Sequence, residues 1–454
     1  MVKFFHICII MYFNFNFNLR DVFHLICFAT YNANMEERLI INGGRKLQGK
    51  IKVDGAKNAF LPIMAGTVLC DGQIELENFC NLEDLNSMRV ILKALGIDSE
   101  ASTRSLYIDT KSVKNEKITH GLTQKVRASI FMLGPLLGRF RSAVVAYPGG
   151  CKIGARPIDL HLKAFRTLGA RIVEKHGYIY CFGENLKAGD VFFDSPSVGA
   201  TESLMMCACL LDGETTLKNV AKEPEIVDLQ NFLNVMGAKI SGAGTDCIKI
   251  VGVKKMHGGK FAVMPDRIVA GTYLLAAAVC GGDVLVEGAR VKDNESLVSF
   301  LKQTACQIET FNDKIRLKVS KRLSSIEKIE TRPFPFFPTD LQSQMMVLQS
   351  VSKGVCLMQE NLFENRFGVV PELKKMGADI VVKDRTALVK GVEKLYGADV
   401  FASDLRAGAS LVMAGMKAEG YTTVHNVEFI DRGYEKIEEK YSLLGADIKR
   451  IEIE

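Results

Sequence analysis

A tripeptide that ends amphipathic stretches recurs along this chain at nearly even spacing, and it limits the possible folds more than any other feature. Leu95-Gly96-Ile97, Leu168-Gly169-Ala170, Met236-Gly237-Ala238, Met376-Gly377-Ala378 and Leu444-Gly445-Ala446 are clear copies, and Thr304-Ala305-Cys306 fills the one gap as a degenerate copy. The central positions 96, 169, 237, 305, 377 and 445 are separated by 73, 68, 68, 72 and 68 residues. A period of about 70 residues is too long for a solenoid of helix pairs, so each unit is expected to be a small α/β module.

Within a unit, an apolar stretch comes first. Leu61–Leu69, Thr201–Leu211 and Ser410–Met416 are rich in Ala, Leu, Met and Cys with no polar face, the pattern of a helix buried on all sides. Each is followed by a Gly (Gly72, Gly213, Gly420), read as a helix stop. A short alternating strand follows, such as Gln73–Glu77 or Glu214–Leu217, then an amphipathic helix closing on the tripeptide, then a strand pair. The expected unit is helix–strand–helix–strand–strand, three times in each of two domains.

The chain ends assign the units to domains. After Leu444-Gly445-Ala446 only Ile448–Glu454 remains, without the strand–turn–strand that follows the third unit. Leu39–Asn58 matches that missing piece, Ile248–Arg267, in length and apolar pattern. A sheet lacking it would leave backbone groups unpaired and apolar faces wet. One domain is therefore expected from 35–56 plus 266–454 and the other from 57–265, with crossovers near Gly55-Ala56 and Pro265-Asp266 acting as a double hinge around a cleft.

The first 34 residues read differently. They are rich in Phe and Asn, and the apolar run Phe4–Phe13 has the length of a signal-peptide core but a poor cleavage site near Ala29. A start placed too far upstream, with Met35 as the working start, is the simpler reading, and the segment is left out of the fold. No run reaches about 18 apolar residues, so no membrane span is expected. Lys and Arg total 58 against 52 Asp and Glu, a net charge of +6 without basic runs, which gives no nucleic-acid footprint. Twelve scattered cysteines without a CxxC pair, and only seven His, leave no legible metal site; no cofactor is expected. Such thiols fit a reducing, cytoplasmic compartment. The oligomeric state stays open, a monomer being compatible with everything read here.

The starts of the buried helices carry the chemistry: Lys57-Asn58, Arg127, Ser197-Val198-Gly199, Asp266-Arg267, Asp340 and Asp404-Leu405-Arg406. Asp and Ser there cap helices in the ordinary way. Recurrence of polar groups at one place in the repeat points further, because helix N-termini carry free N–H groups and partial positive charge suited to phosphate. If the starts share one end of each domain, the cleft collects Lys57, Arg127 and Arg406 around an anionic ligand. The second unit also inserts Tyr147–Asp159, with three Gly and two Pro, a lid-like segment. Its Cys151 lies near Lys152 and Arg156, whose charges favour thiolate, whereas Cys70, Cys207, Cys209 and Cys280 sit in apolar stretches and read as packing.

Nine blocks in order carry a resemblance: GAKNAFLP (Gly55–Pro62), RASIFMLGP (Arg127–Pro135), PGGCKIGARPIDLH (Pro148–His161), SVGATE (Ser197–Glu202), EPEIVD (Glu223–Asp228), FPTDLQSQ (Phe337–Gln344), FENRF (Phe363–Phe367), SDLRAGASL (Ser403–Leu411) and DRGYE (Asp431–Glu435). Together they closely resemble the UDP-N-acetylglucosamine 1-carboxyvinyltransferases, the MurA-type enolpyruvyl transferases of bacterial cell-wall synthesis. The resemblance implies two inside-out α/β barrels of three repeats each. It also implies transfer of the enolpyruvyl group of phosphoenolpyruvate to the 3′-hydroxyl of UDP-N-acetylglucosamine with release of phosphate, a step in peptidoglycan precursor synthesis.

By that resemblance Cys151 is the general acid, able to form a covalent phosphoenolpyruvate adduct, and Asp340 is the base beside the 3′-hydroxyl. Lys57, Arg156 and Arg432 hold phosphate, Arg406 lies on the carboxylate side, and Asn58 and Asp404 position sugar and intermediate. Arg127, Arg156, Pro157, Ile158, Asp159, Leu160, Ser197, Val198, Gly199 and Leu362 line the sugar-nucleotide site. Two departures stand out. Ser195-Pro196 replace a residue that is basic in some relatives, and Leu82-Glu83-Asp84-Leu85 varies a segment that is often more basic. The competing readings are an EPSP synthase-like transferase acting on a shikimate phosphate, which uses no lid cysteine, and a non-catalytic sugar-nucleotide-binding paralogue.

Overall fold

A computed structural model describes residues 36–123, 126–149, 153–154 and 158–453; the N-terminal segment 1–34 lies outside the described residues. The apolar residues sort into two separate cores. One runs from Leu39 to Val53 and from Ile268 to Ile448, the other from Ala56 to Met264. We propose that these are the two domains, 35–56 plus 266–454 and 57–265.

The all-apolar stretches become central helices. In the first core, Arg267–Cys280, Gln342–Val351 and Leu405–Lys417 pack pairwise on one another. Every residue from Ile268 to Cys280 is buried, which leaves no solvent face and explains why this stretch carries no charged residue. In the second core Lys57–Gly66, Leu133–Phe140 and Val198–Ala208 hold the same position. Helices Leu133–Phe140 and Val198–Ala208 approach so closely that a Cβ on Gly134 would lie 2.2 Å from the Ser203 carbonyl oxygen. Amphipathic helices such as Glu83–Ala94 and Val291–Gln303 and six small sheets surround the central helices, so helices lie inside and sheets outside.

Among the described residues, every unit but the second holds one more strand than the sequence pattern gave; in the second, Ile118 makes only a single bridge to Val145. Strand Asp190–Phe192 pairs in parallel with Glu214–Lys218, Met256–Ala262 with Cys70–Glu77, and Lys328–Glu330 with Val355–Gln359. These leading strands are mostly too short to show alternation. The N-terminal residues supply two missing strands. Glu36–Asn42 lies antiparallel between Tyr421–His425 and Asp447–Ile453, completing the last sheet, and Leu47–Lys52 pairs in parallel with Gly282–Glu287 as the leading strand of the fourth unit. The two crossovers are zipped together, Ala56 N–H donating to Met264 C=O at 2.7 Å and Asp266 N–H to Asp54 C=O at 2.9 Å.

The expected helix stops at Gly72, Gly213 and Gly420 need correction. The first central helix continues as a 3-10 turn, Thr67–Leu69, and Cys70 is already extended, so Gly72 lies inside a strand; the other two precede the strands beginning at Glu214 and Tyr421. The recurring tripeptides are the true stops. Gly96, Gly169, Gly237, Gly377 and Gly445 all have φ between +79° and +100°, the left-handed conformation that terminates a helix. Ala305, in the degenerate copy, takes the same conformation at φ +65° and is exposed. Its methyl group is strained there and packs against little, so Ala305→Gly is expected to stabilise the protein by about 1 kcal/mol in urea unfolding. A lower unfolding midpoint would show that the side chain contributes packing instead.

Candidate active site

Two charged clusters form at the starts of the central helices. In the first, Lys57 opens helix Lys57–Gly66, its backbone N–H donating to Asp266 Oδ2 at 3.2 Å. Its ammonium donates to Asp84 Oδ2 at 3.0 Å, and Arg432 Nε donates to Asp84 Oδ1 at 2.8 Å. Lys57 and Asp84 belong to one core and Arg432 to the other, so a single carboxylate joins cations across the boundary. Burial pushes the Asp84 carboxyl up in pKa, but Lys57 and Arg432 outweigh that and hold it below its usual range.

In the second cluster Asp340 sits in the turn Thr339–Leu341 that leads into helix Gln342–Val351. Arg366 Nη2 donates to its Oδ1 and Arg406 Nη2 to its Oδ2, both at 2.9 Å. Burial again works against ionisation, and Arg406 and Arg366, with Lys57 adding to their field, keep the carboxyl far below the ordinary range. Arg406 is held further by the Tyr434 hydroxyl at 3.2 Å. Asp404 caps helix Leu405–Lys417, accepting from the Arg406 and Ala407 N–H groups, and lies 3.8 Å from Arg366. A buried, mutually paired set of this kind is costly to break, about 3–5 kcal/mol when one partner is removed.

Of the residues expected for the sugar-nucleotide site, Asn58 and Leu362 fall beside these clusters, and Arg127, Gly199 and the start of helix Asp159–Thr167 gather around His161. Asn58 is half-buried next to Lys57. Leu362 N–H donates to buried Glu360, whose other oxygen accepts from the Thr339 hydroxyl, so Leu362 is tied to the Asp340 turn. Ser197 caps helix Val198–Ala208, accepting from Ala200 N–H; Val198 is exposed and Gly199 half-buried. A Cβ on Gly199 would lie 2.9 Å from His161 Nε2, so a side chain there would collide with the imidazole. Ile158 is buried, Asp159 exposed and Leu160 half-buried, at the start of helix Asp159–Thr167. Arg127, half-buried at the start of Arg127–Met132, is close enough to influence His161 electrostatically.

Cys151, Arg156 and Pro157 lie outside the described residues. Of the segment between them, Ile153 and Gly154 rest on the other core: Asn365 N–H donates to Ile153 C=O at 2.9 Å, and a Cβ on Gly154 would meet Glu364 Oε2 at 2.1 Å. Cys70, Cys207 and Cys280 are buried, and burial pushes each thiol up to about 12, which makes them inert packing groups. Cys209 is likewise buried and shifted upward.

Sequence reasoning missed Asp84, Arg366, Glu360 and Tyr434 as site residues. Arg366 and Tyr434 lie inside the FENRF and DRGYE blocks, which signalled the region. Asp84 meets Arg432 across 348 positions of sequence, a pairing no local pattern encodes.

Two three-unit bodies with helices inside and sheets outside, meeting at paired carboxylate–cation clusters, have the architecture of the enolpyruvyl transferases. The enolpyruvyl transferase NikO from Streptomyces tendae shares the fold with a TM-score of 0.83 at 22% identity, covering 92% of this chain and all of that one. EPSP synthase from Acinetobacter baumannii does so with a TM-score of 0.70 at 19% identity, again over 92% of this chain and 100% of that one. The sequence family described as EPSP synthase (3-phosphoshikimate 1-carboxyvinyltransferase) matches residues 41–441. UDP-N-acetylglucosamine 1-carboxyvinyltransferase 2 of Caldanaerobacter subterraneus subsp. tengcongensis is 48% identical over 411 residues, 90% of this chain and 99% of that protein. The UDP-N-acetylglucosamine 1-carboxyvinyltransferase of Desulforapulum autotrophicum is 46% identical over 416 residues, 91% of this chain and 100% of that protein. The chain belongs to the UDP-N-acetylglucosamine 1-carboxyvinyltransferase family.

The His161 ring is buried, and both its nitrogens lack a hydrogen-bond partner among the described residues. Burial, reinforced by Arg127, lowers its pKa to about 4. The folded protein then binds fewer protons here than the unfolded chain between pH 4 and the ordinary histidine value of about 6.5. Stability contributed by this group is therefore complete above that window and is lost as pH falls through it. The His161 NMR signal is expected to remain that of a neutral ring at pH 6; a titration midpoint near the ordinary value would contradict the burial argument.

Proposed function

We propose that this protein transfers the enolpyruvyl group of phosphoenolpyruvate to the 3′-hydroxyl of UDP-N-acetylglucosamine and releases phosphate, supplying peptidoglycan precursor synthesis in the cytoplasm. The observation that carries this reading is the 48% identity maintained over 99% of the Caldanaerobacter enzyme. In keeping with a cytoplasmic site, no helix among the described residues is long and apolar enough to cross a membrane.

In the proposed reaction the sugar oxygen bonds to C2 of the enol phosphate while a proton goes to C3, giving a tetrahedral phospho-ketal. Loss of phosphate from C2 and of a proton from C3 then restores the double bond. Cys151 is assigned as the acid at C3 and Asp340 as the base at the 3′-hydroxyl. Lys57, Arg156 and Arg432 take the phosphate, and their positive charges stabilise it as it departs. Arg406 faces the carboxylate, with Asn58 and Asp404 positioning the sugar and the intermediate. Arg127, Pro157, Ile158, Asp159, Leu160, Ser197, Val198, Gly199 and Leu362 form the sugar-nucleotide side.

Both Asp340 oxygens are engaged by guanidinium groups, which leaves a carboxylate that is ionised but weakly basic. An arriving anion offers Arg406 and Arg366 another partner. Once they turn toward it, an Asp340 oxygen is free to accept the hydroxyl proton, so the base becomes competent only with substrate in place. Ile153 and Gly154 of the insertion rest on Asn365 and Glu364, which supports a role for the insertion in keeping water from that event.

Purified protein given both substrates is expected to release inorganic phosphate, and to release none when shikimate 3-phosphate replaces the sugar nucleotide. Cys151→Ser should lower turnover by about 100-fold or more, the usual contribution of a positioned general acid, and the epoxide phosphonate fosfomycin should block the wild type. Full activity in the presence of that inhibitor would remove Cys151 from its role. Asp340→Asn is expected to keep UDP-N-acetylglucosamine binding by calorimetry while losing turnover by a similar factor of about 100. Wild-type rates in that variant would leave the reaction without this base.

A further inference from the structure

We propose that Asp84 is a positioning residue of the phosphate site, holding Lys57 and Arg432, one from each core, as a single two-cation clamp that is assembled only when the cores are closed on each other. This rests on the reading that Lys57 and Arg432 take the phosphate. Asp84 itself is only 4% exposed, and its two oxygens face different cores, Oδ2 toward the Lys57 ammonium at 3.0 Å and Oδ1 toward Arg432 Nε at 2.8 Å. It stands in the first turn of helix Glu83–Ala94, where the free N–H groups favour a carboxylate and fix its place.

Arg432 differs from Lys57 in being unconfined. Its side chain is 36% exposed against 10% for Lys57, and it lies just past the short helix Glu428–Asp431. A long side chain of this kind samples many rotamers unless a partner pins it. The neighbouring contact runs the same way: Asn81 N–H donates to Glu435 at 3.0 Å, so the segment 81–84 of one core reads the segment 432–435 of the other. One carboxylate between two cations leaves a net charge of +1, with ammonium and guanidinium donors still able to turn outward. That suits an anion binding beside Asp84 and not in its place.

The test separates this role from the reading beneath it. Inorganic phosphate serves as probe, through its inhibition of turnover, alongside the KM values of both substrates and a melting curve. Arg432→Ala is expected to weaken phosphate inhibition; unchanged inhibition would overturn the clamp itself and this proposal with it. Asp84→Asn is expected to raise both the phosphate inhibition constant and the KM for phosphoenolpyruvate by about tenfold, leaving the KM for UDP-N-acetylglucosamine unchanged even though the melting temperature falls with the loss of the buried pair. Adding Arg432→Ala to Asp84→Asn should then cost less than the two changes separately, because both act through the same guanidinium. Normal phosphate inhibition in Asp84→Asn, with Arg432→Ala impaired, overturns the positioning role and leaves the phosphate assignment standing. Should Asp84→Asn not fold, Asp84→Glu keeps the charge but displaces it by one methylene. A phosphate constant raised by about threefold is then expected, and a wild-type value overturns the proposal.

Discussion

Central helices with almost no polar face have to be covered on every side, and the remainder of the molecule follows from that requirement. Three such helices bury one another only in part, so each unit contributes a sheet and an amphipathic helix to cover what is left. Charged residues gather mainly at the helix ends, while the polar groups inside the bodies, such as Thr272 and Gln344, are hydrogen-bonded to one another. Lys57, Asp266, Asp340 and Asp404 stand at or beside those ends, and capping holds several of them in place. The reactive surface is thus a by-product of how apolar rods are enclosed.

Charge is then organised by mutual compensation. Asp84 is a buried carboxylate and Asp340 a half-buried one between two buried guanidinium groups, and each is engaged by two cations. A buried ion set of this kind contributes little net stability compared with an apolar replacement, because desolvation offsets attraction. What it provides is a group of cations already stripped of much of their water. The family relationship and the proposed reaction meet at this point: a chemistry that handles a carboxylate and a phosphate together needs several cations in close quarters.

Much of this was legible from the residues alone, and the rest was hidden for physical reasons. The repeat was visible because a left-handed helix stop favours glycine, and five of the six stops have one. Even the exception, Ala305, adopts the same backbone. Lys57, Asp340, Asp404 and Arg406 were visible because helix starts recur at one place in the unit. Several leading strands, such as Asp190–Phe192, are only three residues long and carry no pattern. Gly72 misled because glycine serves an extended bend as readily as a helix end. Asp84 and Arg366 act through partners in distant segments, and one chain read linearly carries no signal of which charges meet.

The placement of Glu36–Asn42 between the final two strands has a bearing on biosynthesis. Asn42 and its partner Asp447 are separated by 405 residues. At a ribosomal pace of about 5–20 residues per second, the first strand emerges on the order of 20–80 s before the strand it must join. During that interval it is a strand with open hydrogen-bonding edges and exposed Leu39, Ile40 and Ile41, while the intervening body, whose core is complete by Met264, is free to form. The newborn chain therefore carries its own unfinished seam through nearly the whole of translation, and closing that seam is among the last acts of folding.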